Sequence, residues 1–243
     1  MAIHHDKKAY GKLDSLTDEF SEERLMKMAQ QISVEGDKRS LSEYEKMISG
    51  ELYNPADAEL AAMRKRARQL FQEYNNTSED DLSRRREIVG ELLGSHGKDF
   101  YFEPPFRFDY GKNTRVGEDV FGNFNLTILD CAPVIIGNQV FMGPNVTLAT
   151  PVHPLLACDR NMRAAADGSK FDYEYAKPIT IEDNVWLASN VTVCGGVTIG
   201  HDCVIGAGSV VTRDVPPGVI AAGVPCRVLR KLTPEDKMKL PNE

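Results

Sequence analysis

Residues 181–215 read IEDNVW-LASNVT-VCGGVT-IGHDCV-IGAGSV-VTRDV, and an aliphatic residue opens each block: Ile181, Leu187, Val193, Ile199, Ile205 and Val211. The next residue is Glu182, Ala188, Cys194, Gly200, Gly206 or Thr212, mostly small. Four after each aliphatic comes Val185, Val191, Val197, Cys203, Ser209 or Val215. Upstream, Ile136, Met142 and Leu148 keep the same spacing, with Gly137 and Gly143 following and Val140 and Val146 in the fourth place. Val116-Gly117 with Val120 is a degraded earlier copy. A period of six does not suit a helix, whose turn of about 3.6 residues would spiral the apolar positions round its axis. One continuous strand of this length would outgrow a globular sheet. The economical solution is a coil of short strands with a bend every six residues. The aliphatic residue points inward, and the small residue after it tolerates the backbone at the bend. Stacked coils then share one aliphatic core.

The 243-residue chain carries a net charge of −7, which argues against a nucleic-acid binder with a basic face. No apolar run approaches the roughly 20 residues of a membrane helix, and no secretory signal is visible near Met1. The five cysteines show no CxxC pair and read as reduced thiols of a cytoplasmic protein. Before the repeats the chain reads as helical. A helix is expected over 21–32, capped by Ser21. Ser42 and Glu45 form a capping box for a short helix ending near Gly50. Asp57 caps a third, carrying Leu60, Met63, Ala67, Leu70, Phe71 and Tyr74. Thr77 or Ser78 caps a fourth, stopped by Gly94. The basic run Arg64, Lys65, Arg66, Arg68 reads as a solvated helix face.

These motifs resemble the hexapeptide-repeat acyltransferases. The run from Ile181 through Val204-Ile-Gly-Ala-Gly-Ser-Val-Val-Thr-Arg-Asp-Val-Pro216, followed by Ala222-Gly-Val-Pro-Cys-Arg-Val228, carries the likeness. Gly50-Glu-Leu-Tyr-Asn-Pro-Ala-Asp-Ala-Glu-Leu60, with Arg66-Ala-Arg-Gln-Leu70 and Tyr74-Asn75, is similar to the helical segment of maltose and galactoside O-acetyltransferases. The resemblance implies a mainly β fold, a left-handed parallel β-helix behind an α-helical segment. The expected organisation is a polar extension over 1–43, the helical segment over 44–98, the β-helix over 99–232 with an excursion loop at 149–178, and a tail over 233–243.

The excursion loop opens with Thr150-Pro-Val-His153-Pro-Leu155. Acyl transfer to a hydroxyl needs a base, and imidazole titrates in the useful range. From the residues alone, His153 reads first as a loop histidine bound to backbone. The resemblance implies that it is the general base. It likewise implies acetyl-CoA as co-substrate, Asn123 and Trp186 at the acceptor or coenzyme, and the Ser189 N–H as donor to the thioester oxygen. Asn123 could instead belong to an asparagine ladder, and Trp186 could pack on the loop. Asn125 and Asn54 are weaker acceptor candidates, and Asp57 is as well explained by capping. Ala207 and Thr212 fall where pantetheine would lie. Arg213, Arg227 and Arg230, with Lys231, suit the phosphates. The acceptor-binding aspartate of galactoside enzymes falls near Pro55, and Phe121 lacks their hydroxyl, so a galactoside is not the default acceptor.

The expected activity is acetyl-CoA-dependent O-acetylation of a sugar such as maltose, glucose or a galactoside, in a homotrimer. A xenobiotic or serine hydroxyl as acceptor, or a non-enzymatic scaffold, are the alternatives. Zinc catalysis on such a coil needs three histidines, and only His153 and His201 lie in it, so no metal is expected.

Overall fold

The computed structural model describes residues 40–241, so the helix expected over 21–32 lies outside the described residues. Three helices lead the described chain: α1 (Glu43–Ser49), α2 (Ala58–Asn75) and α3 (Leu82–Leu92). The Ser42/Glu45 capping box starts α1, and Gly50 ends it in the left-handed region at φ 82°. Asp57 starts α2 by accepting from the Glu59 and Leu60 N–H groups. The third start differs from expectation. Asp81, not Thr77 or Ser78, stands at the N-cap, and its carboxylate accepts from the Ser78 N–H and hydroxyl. Gly94 does not stop α3 by a left-handed turn. It is glycine because a Cβ there would sit 2.2 Å from the Lys112 carbonyl oxygen.

From residue 95 the chain winds a parallel β-helix with three faces, the left-handed solenoid expected. The first face stacks Ser95–His96, Thr114–Val116, Val134–Ile136, Ile179–Ile181 and Thr198–Ile199. The second stacks Phe100–Phe102, Val120–Gly122, Phe141–Met142, Trp186–Leu187 and Val204–Ile205, then Val219–Gly223 with the antiparallel Cys226–Lys231. The third stacks Arg107–Phe108, Thr127–Leu129, Thr147–Ala149, Thr192–Cys194 and Val210–Val211. All six aliphatics from Ile181 to Val211 are completely buried, each worth about 1.5–3 kcal/mol of transfer free energy.

The bends differ from the sequence reading in one respect. The left-handed residue comes three places after each aliphatic, not one: Asn184, Asn190, Gly196, Asp202 and Gly208, and earlier Asp119, Asn125, Gln139 and Asn145. Asn and Asp tolerate this region because their short polar side chains bond locally. The small residue directly after the aliphatic answers a different demand. A Cβ on Gly143 would lie 2.8 Å from the Ser189 nitrogen, and one on Gly200 would lie 2.6 Å from the Pro217 nitrogen.

Coil length varies at one corner, between the third face and the next first face. Trp186 pairs with Val204, 18 residues on, whereas Phe121 pairs with Phe141, 20 residues on. Thr147 pairs with Thr192, 45 residues on, because the excursion loop leaves from this corner. Helix α1 and the start of α2 pack here, whereas Leu70, Tyr74, Ile88 and Leu92 of α2 and α3 join the core of the coils. Met47, Tyr53 and Leu60 form a second buried cluster with Tyr110, Cys131, Ala132 and Ala176. The corner is held by Asp130, completely buried, which accepts from the Tyr110 N–H (2.8 Å), the Asn113 N–H (3.2 Å) and the Thr114 hydroxyl (3.1 Å). Burial raises its carboxyl to about 6 despite those bonds.

Candidate active site

Thr150 closes the third coil and anchors the loop. Its hydroxyl donates to the Leu129 carbonyl at 2.7 Å, and its own carbonyl accepts the Lys177 N–H at 3.0 Å. Pro151–Val152 then pairs antiparallel with Tyr175–Ala176, Val152 opposite Tyr175. The next residues of this hairpin stem are His153 and Glu174. His153 is therefore fixed within three residues of a buried coil corner, not at the tip of a free loop.

Glu174 is clamped from its other side. Its backbone exchanges two hydrogen bonds with Tyr53, at 2.9 and 3.1 Å, and its Oε2 accepts the Tyr53 hydroxyl at 2.8 Å. Tyr53 is completely buried, and burial first, then the neighbouring Cys131 and Glu174, push its phenol far above the usual range. It stays protonated and so acts as a permanent donor to Glu174. The Cys131 thiol beside it is raised by burial and by Asp109, and remains neutral too. The free oxygen of Glu174, Oε1, lies 3.8 Å from Nε2 of His153. On the far side of the ring, Asp172 Oδ2 lies 3.8 Å from Nδ1. The imidazole stands between two carboxylates and is half exposed. These three side chains offer ligand atoms within 4.8 Å of one another. Each carboxylate faces a different ring nitrogen, however, and a metal ion takes only one nitrogen of an imidazole.

Tyr53, Asp172 and Glu174 were not singled out from sequence. Tyr53 looks like any core tyrosine, and the two carboxylates sit in a polar loop without a repeat to index them. Arg64 was read as solvated, but it is half buried, donating to the Tyr110 hydroxyl (2.7 Å) and the Pro55 carbonyl (2.6 Å) beside this corner. Arg66 does face solvent and pairs with Glu91. The Asp57 carboxylate is engaged in capping α2 through Oδ1, and Asn54 closes a turn by accepting the Ala56 N–H.

The other candidates lie elsewhere on the prism. At the corner between the second and third faces, Phe124, Pro144, Ser189 and Ala207 form one column, beside Asn123, Gly143, Ala188 and Gly206. Asn123 is half buried and accepts the Phe124 N–H at 2.7 Å, which leaves its amide nitrogen for a ligand. It is outside the asparagine ladder, which runs Asn125–Asn145–Asn190 at 3.0 and 3.1 Å, so Asn125 has a structural duty. The Ser189 N–H donates to no acceptor among the described residues. The small Ala207 leaves the column open above it. Trp186 projects outward from the second face, where it pairs with Phe141; both are about half exposed. Phe121 continues this column and stacks on Tyr101 with centroids 6.5 Å apart.

Thr212 and Arg213 stand exposed at the His153 corner, on a later coil. Arg227 and Arg230 lie on the closing hairpin, Arg227 donating to the Cys226 carbonyl. Arg230 makes a two-bond fork with Asp236 (2.7 and 2.6 Å), which holds that carboxyl down at about 2. A phosphate would have to displace Asp236 to reach it.

One chain thus places His153 at one corner and Asn123, Ser189 and Ala207 at another. The third face separates them by roughly 15–20 Å, the length of six residues of strand.

Comparison with known proteins shows the family of the chain. The maltose acetyltransferase hexapeptide capping motif matches residues 46–97, and the bacterial transferase hexapeptide model, six repeats, matches 178–213. The galactoside O-acetyltransferase of Escherichia coli is 39% identical over 193 residues, covering 79% of this chain and 91% of that protein. The crystal structure of a maltose O-acetyltransferase from Clostridium difficile is 42% identical with a TM-score of 0.75, covering 80% and 100%. A galactoside acetyltransferase in complex with coenzyme A is 37% identical with a TM-score of 0.73, covering 81% and 94%. All five cysteines are free, and no helix among the described residues is long and apolar enough to cross a membrane. The chain belongs to the maltose and galactoside O-acetyltransferase family of hexapeptide-repeat acetyltransferases and is an acyltransferase.

Proposed function

We propose that the protein transfers the acetyl group of acetyl-CoA to a hydroxyl of a sugar, at sites shared between neighbouring chains of a homotrimer. The observation that carries this reading is the separation of the base from the coil-edge groups. His153 and the Ser189 N–H sit at different corners of one prism, so a neighbour related by three-fold packing must bring the two corners together. The half-exposed column of Phe141 and Trp186 supports such packing, because a monomer would leave it wet. Acetyl-CoA as donor is supported by the relative whose structure holds coenzyme A and by the open column over Ala207.

The acceptor hydroxyl gives its proton to His153. Its oxygen forms a bond to the thioester carbonyl carbon, and the Ser189 N–H takes the developing oxyanion. The carbon–sulfur bond then breaks, and the thiolate leaves with the proton from the imidazolium. Asn123 orients the sugar, with Trp186 against sugar or coenzyme. Thr212 flanks the pantetheine, and Arg213 and Arg227 meet the phosphates.

The test is an acceptor screen with acetyl-CoA over glucose, maltose and galactosides, run beside His153→Ala. Loss of a general base lowers turnover by roughly 10²–10⁴. Near-normal turnover of the variant would end the assignment of His153. At acetyl-CoA well below the raised KM of Arg227→Ala, where each variant alone is slow, mixed trimers of His153→Ala and Arg227→Ala chains should exceed the summed rates of the two if each site draws on two chains.

A further inference from the structure

We propose that Asp172 selects acceptors carrying a second hydroxyl close to the one that is acetylated. The inference rests on the reading of His153 as the base that receives the acceptor proton.

The two carboxylates beside the imidazole are not equivalent. Glu174 is held by the Tyr53 hydroxyl on one oxygen and by a backbone bridge to Tyr53. Its remaining oxygen is aimed at Nε2. At 3.8 Å neither carboxylate makes a direct hydrogen bond to the ring; we assign the proton to Nε2, on the side of the clamped Glu174, and the base lone pair to Nδ1. Asp172 faces this lone pair. It lies two residues before Glu174, on the same side of the hairpin edge, because side chains alternate along extended backbone. Its side chain is only 21% exposed. No hydrogen bond to it is made by any described residue, and no Lys or Arg of the described residues comes within 4.0 Å. A carboxylate without a protein donor depends on water, which an acceptor entering beside the imidazole displaces.

The 3.8 Å gap between Nδ1 and Oδ2 is too long for a direct hydrogen bond. A hydroxyl oxygen beside the gap reaches both atoms at about 2.8 Å. The attacking hydroxyl must enter there, with Asp172 alongside. As that hydroxyl passes its proton to Nδ1, negative charge grows on its oxygen, and a bare carboxylate nearby opposes the change. A second hydroxyl of the same acceptor, donating to Asp172, removes the opposition. It satisfies the carboxylate and keeps its own proton throughout, so nothing further is consumed in the reaction. An acceptor with one hydroxyl leaves Asp172 unpaired beside the developing charge. Sites built to bond a hydroxyl reject analogues that lack it.

The experiment is a kinetic cycle on the full-length chain with acetyl-CoA. Wild type, Asp172→Asn and Asp172→Ala are assayed with glucose, with each monodeoxyglucose, and with cyclohexylmethanol as a ring bearing one hydroxyl. Asp172→Ala should lower kcat/KM for glucose about 10- to 100-fold, the worth of one hydrogen bond to a charged group. The KM for acetyl-CoA should stay within about twofold, since the coenzyme phosphates are elsewhere. One deoxyglucose should be as poor for wild type as glucose is for the variant, and no poorer with the variant, because the same bond is missing in both. Cyclohexylmethanol should lose nothing on removal of Asp172. An equal penalty on every acceptor, or none on glucose, overturns the proposal while leaving the acetyltransferase reading intact. Asp172→Asn keeps the shape; unfolding of that variant makes Asp172 structural and also overturns it. A wild-type enzyme that acetylates no sugar, or a His153→Ala variant with normal turnover, overturns the underlying reading and this one with it.

Discussion

Removing the Tyr53 hydroxyl isolates what holds the histidine in place. Tyr53→Phe keeps the buried ring and deletes one oxygen, the donor 2.8 Å from Glu174 Oε2. A hydrogen bond to a charged group contributes about 1.5–3 kcal/mol, and Glu174 is 18% exposed, so water recovers part of the loss. A destabilisation of about 1–2 kcal/mol follows, a fall in Tm of roughly 2–8 °C for a domain of this size. The effect on rate should be sharper than the effect on acceptor affinity. A freed Glu174 no longer fixes the imidazole, and misplacement of a base raises the barrier without loosening the substrate; kcat should fall about tenfold and KM hold. Glu174→Ala leaves the phenol buried without a full acceptor, the Cys131 sulfur being a weak one, at a cost of about 1–3 kcal/mol. The double variant has neither group to leave unpaired. Its loss should be smaller than the sum by about 1 kcal/mol or more, the coupling that direct contact gives. Thermal melts at one fixed protein concentration and steady-state kinetics with acetyl-CoA read both quantities. Strictly additive single effects, or a Tyr53→Phe enzyme with unchanged kcat, would refute the clamp.

Gly143→Ala places a Cβ 2.8 Å from the Ser189 nitrogen, so the coil edge must shift where the oxyanion donor sits. Stability should fall by about 1–3 kcal/mol in a urea titration, and kcat should fall beyond what the unfolded fraction explains. Arg213→Ala and Arg227→Ala should each raise the KM for acetyl-CoA with kcat nearly unchanged, because phosphate contacts bind ground and transition states alike. Arg230→Ala should move that KM least, since its guanidinium is already engaged by Asp236. Asp130, raised to about 6 by burial, holds its proton more tightly folded than unfolded. Folding therefore loses stability as pH rises from about 4 to about 6, by roughly 3 kcal/mol, and is flat with respect to this group above that. Asp130→Asn should remove that slope between pH 4 and 6 in melts across the range.

The solenoid was legible because one constraint repeats. Ile181 to Val211 each meet the same demand, and an error at one position is corrected by the next. The bend rule was misread because two demands fall on neighbouring positions of the same block. Glycine at Gly200 and Gly206 serves close approach, whereas the left-handed turn falls on Asn184, Asn190 and Asp202, whose backbone preference is weaker and less visible. Asn123 and Trp186 could be indexed because the coil gives every residue a face or a corner. Asp172 and Glu174 could not, because register inside an excursion is set by its pairing with the stem and with Tyr53, about 120 residues away in sequence. No local pattern records a contact of that range. Arg64 was misplaced for the same reason: its helix is amphipathic, but its partners Tyr110 and Pro55 come from a coil corner and a turn.

The corner that carries His153 is also where the coils lengthen from 18 to 20 residues and where α1 and the start of α2 dock. These are one arrangement. A strict coil of six-residue blocks admits an internal polar group only as small as Ser209, which bonds the Gly206 carbonyl, and has no room for a second layer. Two added residues at one corner admit Asp130 and Tyr110, and these give α1 and the Tyr53 segment a surface to bury against. The loop leaving the same corner meets that layer, and Tyr53 fixes Glu174 from it. The corner across the third face keeps small residues, Gly143, Ala188, Gly206 and Ala207, on its later coils. A base on the thickened corner and a bare groove on the thin one are complementary halves. Shortening the corner by deleting two residues from 109–113 should therefore abolish activity through loss of helix docking, while far-ultraviolet dichroism still reports the β-helix. Retained activity after that deletion would separate the helical layer from the site and break this account of why the fold departs from its own period there.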